Sequence, residues 1–171
     1  MARHKIGKAN QKVYFAGFYL EALDSIEHDE RLVNRKALQA AHRESCLFHL
    51  VGAYHGLLWE IAKTYDLEYA AGDALRPLLA AQNDAGRSVP ELEQLFDLQS
   101  RSGSWLNQMM NAWQRIQDAD PATTSVAKAP VNLNAIEVRV STEEDDLLQL
   151  PDWHGKLRLL IDEIRERLGE W

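Results

Sequence analysis

The sequence predicts an all-α fold, a single-domain bundle of about five or six helices with a long central second helix and an irregular linker before the C-terminal helix. Three observations predict it. Apolar residues recur at spacings of three and four through most of the chain, the period of a helix face. One stretch of some thirty residues contains no proline and is apolar nearly all round in its second half. Strand-like alternation occurs only over Ile136-Glu137-Val138-Arg139-Val140.

The first helix is expected from Asn10, as N-cap, to about His28, with Val13, Ala16, Gly17, Leu20 and Leu23 on one face. Tyr14, Phe15, Phe18 and Tyr19 broaden that face. The second is expected from about Leu32 to Tyr65, and its apolar half, Cys46 to Ala62, marks a helix surrounded by others. A short third helix follows, capped by Asp73, with Pro77 in its first turn and a stop at Asn83-Asp84-Ala85-Gly86. Ser88-Val89-Pro90-Glu91 has the pattern of a capping box, serine at the cap and glutamate at the third helical position, ahead of a buried stripe of Leu92, Leu95 and Phe96.

Ser104 is the expected cap of a helix that carries Leu106, Met109, Met110, Trp113 and Ile116 and is closed by Pro121. A methionine and tryptophan stripe of this kind suits an adaptable binding face, although at helical spacing it is more often core. Residues 120–150 change to Pro, Ala, Thr, Ser and Val and then to the acidic run Glu143, Glu144, Asp145, Asp146. This is the expected flexible or extended linker. Residues 151–171 then form an amphipathic helix, with Trp153, Leu157, Leu160, Ile161, Ile164 and Leu168 docking on the bundle.

Composition narrows the function classes. The 171 residues carry a formal net charge of −7, so charge-driven binding to nucleic acid is not expected, beyond a local basic start at Arg3, Lys5, Lys8 and Lys12. Cys46 is the single cysteine, which excludes an internal disulfide and multi-cysteine zinc and fits a reducing compartment; the cytoplasm is expected. No apolar run has the length of a membrane span, and no cofactor fingerprint occurs.

The most unusual stretch is the middle of the second helix, where Ser45, His49, Gly52, Ala53, Gly56 and Glu60 share one side, with His42 two turns back. On the structural reading the glycines admit a neighbouring helix backbone, and His49 and Glu60 are hydrogen-bonded to crossing helices. Two mid-helix glycines cost about 1 kcal/mol each against alanine, so something must offset them. On the functional reading His49 and Glu60 line a polar cavity, supported by Arg43 and Glu44. A cavity open to solvent beside His49 favours that reading; complete internal hydrogen bonding opposes it. His42, His49, His55, Glu60 and His154 have metal-ligand chemistry, but ligands seven residues apart stand about 10 Å apart along a helix, too far to share one ion, and no metal is expected. Cys46, in the apolar half, reads as a buried thiol rather than a nucleophile.

Arg43 and His49 form an Arg-x5-His pattern that resembles the motif of HEPN-type ribonucleases, also helical bundles. That resemblance implies that the pair acts on a scissile phosphate and ribose hydroxyl at a site shared across a homodimer. Glu44 departs from the small polar residue common in that family, and six residues of helix place the two side chains about 120° apart. A wider resemblance rests on Asn10-Gln11-Lys12-Val13-Tyr14-Phe15-Ala16, on Glu44-Ser45-Cys46-Leu47-Phe48-His49-Leu50 continuing to Glu60, on Ser104-Trp105-Leu106 and on Leu168-Gly169-Glu170-Trp171. Together these look like an uncharacterised bacterial family of short helical proteins, which implies the fold and a bacterial cytosol but no chemistry.

The leading expectation is a non-enzymatic interaction or adaptor protein whose partner is another protein, self-association included. It would be engaged through the basic N-terminus, residues 120–150 or an exposed helix face. The alternative is a HEPN-like RNA-cleaving or other small enzyme centred on His49.

Overall fold

The computed structural model describes residues 7–29, 33–70, 74–118 and 148–169. Six helices are described: α1 (Lys8–His28), α2 (Arg35–Thr64), α3 (Leu75–Asp84), α4 (Pro90–Ser100), α5 (Trp105–Asp118) and α6 (Leu150–Gly169). The protein is all-α, with no strand among the described residues.

As its all-round apolarity requires, α2 is central. Cys46, Leu47, Leu50, Val51, Ala53, Tyr54, Leu57, Leu58, Ile61 and Ala62 are all buried along it. Helix α1 packs along this rod, α6 packs against both, and α4 and α5 close the remaining side, with α3 on α4. Trp153, Leu157, Ile161 and Ile164 fill the α6 contact, and Leu92, Leu95, Leu106 and Met109 fill that of α4 and α5.

The close approach of α1 to α2 depends on a missing side chain. A Cβ built at Gly56 would stand 3.0 Å from the Ala9 nitrogen and 3.1 Å from its Cα, both backbone atoms with no freedom to swing aside. The expectation that a glycine of this stripe admits a helix backbone therefore holds at Gly56. Gly52 differs: a Cβ there would meet only the Lys12 side chain, at an ordinary 3.5 Å.

Several helix ends differ from expectation. Helix α1 starts at Lys8 with Gly7 as N-cap, three residues before the expected cap Asn10. Glycine at this position leaves room for the Glu60 and Arg165 side chains, which a Cβ would strike. Helix α2 starts at Arg35 rather than near residue 32, and it ends on a Schellman-type closure: Leu67 N–H donates to the Ala62 carbonyl, with Asp66 in the left-handed region at φ 51°.

Helix α3 ends as expected, with Gly86 at φ 61° and bonds from Gly86 to Asn83 and from Arg87 to Gln82. Its N-cap is Ala74 rather than the expected Asp73, which lies outside the described residues.

The capping box is out of register. Val89 is the N-cap of α4 and its buried N–H donates to Gln82 Oε1 at 3.2 Å. Ser88 instead donates to Glu93 at 2.8 Å, and Glu91 turns inward to accept the Tyr65 hydroxyl at 2.9 Å. Phe96, about 100° round the helix from its neighbour Leu95, is exposed, while Leu92 and Leu95 are buried.

Ser104 does cap α5, accepting the Asn107 N–H at 3.1 Å. Helix α6 starts at Leu150, two residues before the expected Asp152, with Pro151 in its first turn. Pro121, most of the 120–150 segment with its candidate strand and acidic run, and residues 170–171 lie outside the described residues.

The two stripe glycines make a paired prediction. Gly52→Ala is expected to raise stability by up to about 1 kcal/mol through helix propensity. Gly56→Ala is expected to lower it, because overpacking costs of about 1–3 kcal/mol exceed the same gain. Urea unfolding of the two variants checks this; equal stabilisation would mean that α1 is free to move away from α2.

Candidate functional site

The polar stripe of α2 does not converge on one site. Glu60 is committed to α6: Arg165 donates to both its carboxylate oxygens, Nε at 2.7 Å and Nη2 at 2.6 Å, with the side chains 25% and 17% exposed. This bidentate pair ties the C-terminal part of α2 to α6 beside the start of α1. His49 lies eleven residues earlier, about 16 Å along the helix axis. The functional reading, in which His49 and Glu60 line one cavity, is therefore corrected; for Glu60 the structural reading holds, since its carboxylate is bonded to a crossing helix.

His49 instead stands in a groove of ≈ 380 Å³ between α1, α2 and α5, lined by Tyr19, Glu44, Ser45, Phe48, His49, Trp113 and Ile116. The i to i+4 spacing of α2 brings Glu44, Ser45, Phe48 and His49 to one side. Tyr19 arrives from α1, and Trp113 and Ile116 come from the last turns of α5.

Three rings surround the imidazole. Tyr19 stacks on it at 5.4 Å, and Phe15 and Phe48 meet it edge to face at 5.5 and 5.3 Å. Nδ1 is buried without a hydrogen-bond partner. Burial first, and then the Lys12 ammonium, hold the His49 pKa below the ordinary histidine value, so the ring is neutral at pH 7. Among the expected supporting residues, Glu44 and His49 line the groove and Arg43 does not. A phosphate-gripping guanidinium beside the imidazole, as the Arg-x5-His pattern implies, is not part of this groove.

The other histidines are dispersed. His42 Nδ1 donates to the Leu38 carbonyl at 2.8 Å, and His154 Nε2 donates across to the Val13 carbonyl of α1 at 3.1 Å. His55 is held below its ordinary pKa by burial. No group of three metal-ligating side chains occurs among the described residues. The buried Cys46 thiol is pushed up to about 12 by desolvation and points its Sγ at the Ala16 carbonyl, 3.6 Å away, as expected of an inert thiol.

A second cleft, of ≈ 370 Å³, runs between α1 and α6 past Asn10, Tyr14, Phe18, Glu21, Arg158 and Asp162. Its charges are of both signs, and no buried polar group faces it without a partner.

The family of unknown function DUF6586 matches residues 1–171 from end to end. The chain belongs to that family. This is what the resemblance to a family of short helical proteins implied. No curated protein and no solved structure matches the chain. No helix among the described residues is long and apolar enough to cross a membrane.

Sequence reasoning named His49 and Glu44 but missed the aromatic walls. Trp113 and Ile116 had been assigned to the buried stripe of α5, yet they are only half-buried, whereas Leu106 and Met109 are fully covered. Helical phase carried no signal for them: at about 100° per residue Trp113 stands only about 20° round α5 from the fully covered Leu106, and Ile116 about 20° from Met109.

NMR titration of the imidazole protons is expected to place His49 below the ordinary value of about 6.5, and Lys12→Ala should move it part of the way back up. No movement would mean that Lys12 does not reach the groove. A lowered pKa also means that the unfolded chain binds the proton first, so His49 and His55 make the fold less stable as pH falls through about 6.5.

Proposed function

We propose that this protein is a non-enzymatic interaction module that receives an apolar or aromatic side chain of a partner protein in the α1–α2–α5 groove. The observation that carries the reading is the groove's lining: four large apolar or aromatic walls, with Phe48 half exposed, around a neutral histidine. Aromatic walls of this kind are the usual anchors of protein interfaces. Of the polar groups that a catalytic reading invokes, Glu60 is engaged elsewhere, with Arg165, and Arg43 does not line the groove. Within the leading expectation, an exposed helix face is the part that this geometry favours. A cytoplasmic location fits the same reading.

The solvent-open groove beside His49 and the unpartnered Nδ1 of that residue favour an enzyme centred on it. The two readings separate on three variants checked for folding by circular dichroism. A protein partner is expected to be retained by His49→Ala and weakened about tenfold or more by Phe48→Ala and by Trp113→Ala, the magnitude of an interface anchor. Co-purifying RNA or metabolite lost in His49→Ala would overturn the reading in favour of chemistry.

A further inference from the structure

The groove opens onto a surface strip whose charge differs from that of the rest of the chain. Along α1, Lys8 to Leu20 contains no carboxylate, and along α2 the stretch from Ser45 to Lys63 contains only Glu60, already neutralised by Arg165. The strip is nevertheless cationic. Lys12 lies over the Phe48 ring at 5.1 Å, and Lys8 and Lys63 lie over Trp59 at 5.7 and 4.9 Å. In a chain of net charge −7, three lysines gathered on exposed rings beside an apolar groove constitute a directional feature.

Helix geometry gives the strip a length. From Phe48 to Lys63 is fifteen residues of α2, about 22 Å at about 1.5 Å per residue. An extended peptide covers that span with about seven residues, at about 3.3 Å each.

Resting on the reading above, we infer that the partner is an acidic linear peptide segment: one large apolar side chain enters the groove, and the carboxylates beyond it follow Lys12, Lys8 and Lys63. Charge complementarity selects the acidic character, because each ammonium lies on a ring face and none forms an ion pair with a carboxylate among the described residues. Glu44 and Ser45 on the groove wall select a peptide over a nucleic acid. A carboxylate and a hydroxyl there accept hydrogen bonds from peptide N–H groups, whereas a phosphate backbone brings only acceptors and negative charge. The concave groove likewise suits an inserted side chain better than a flat lipid surface.

The test is selection of a random-peptide display library on the full chain, on Phe48→Ala, and on a triple variant with Lys8→Glu, Lys12→Glu and Lys63→Glu. These positions are exposed or half-exposed, and folding is verified by circular dichroism. The expected winners carry one bulky apolar residue with acidic residues to one side of it, bind more weakly at high salt, and lose about tenfold or more on the triple variant.

Winners that depend on Phe48 but carry no acidic bias and ignore the triple variant would overturn this inference and leave the groove reading standing. Absence of any peptide whose binding depends on Phe48 would overturn both. Binding of oligothymidylate or of phosphatidylglycerol vesicles through the lysines, more tightly than any selected peptide, would reassign the strip to nucleic acid or membrane.

Discussion

Everything at the surface of this protein follows from how closely α1 can lie on α2. The contact is set where Gly56 faces the backbone of Ala9 with no side chain between them. At that separation Gly7 caps α1 against the Glu60–Arg165 pair, so one end of the helix pair is fastened to α6 by a bidentate, largely buried ion pair. Further along, the His154 bond to the Val13 carbonyl makes a second α6 attachment to α1. With its rotation about α2 defined in this way, α1 directs Ala9, Val13 and Ala16 inward and sets Lys8, Lys12, Phe15 and Tyr19 along the seam with α2.

The seam divides into two chemically distinct ends. Towards α5 the rings of Tyr19, Phe15 and Phe48 surround a neutral imidazole, and Trp113 and Ile116 form the far wall of an open groove. Towards the N-terminus of α1 the lysines lie on rings, and Glu60, the one carboxylate in the 8–20 and 45–63 stretches of the two helices, is already paired. A stripe of histidine, glycine and glutamate that looks like one polar site in sequence thus separates into a groove residue, a packing glycine and a structural clamp. Eleven residues of helix are too many for His49 and Glu60 to act on one small ligand.

Local signals were legible wherever a short segment decides its own conformation. Ser104 capping α5 and Gly86 closing α3 are such cases, because the bonds they make span only a few residues. The capping box was misread because tertiary contacts compete for the same atoms. Gln82 supplies the acceptor for the buried Val89 N–H, and Tyr65 takes Glu91, so the start of α4 is determined by two other elements. His49 and Glu44 were recoverable from their chemistry on one helix; Tyr19, Trp113 and Ile116 were not, since three separate elements bring them together.

The sequence by itself determined an all-helical protein, a buried central second helix and a local basic start in an acidic chain. These depend on periodicity and composition, which are properties of a segment alone. Only the tertiary structure decided that Glu60 belongs to Arg165, that Gly56 and not Gly52 is the close contact, and that His49 stands among aromatic rings. Each of these depends on the rotation of one helix about another, and that rotation is selected by packing across residues 105 or 47 apart in the chain.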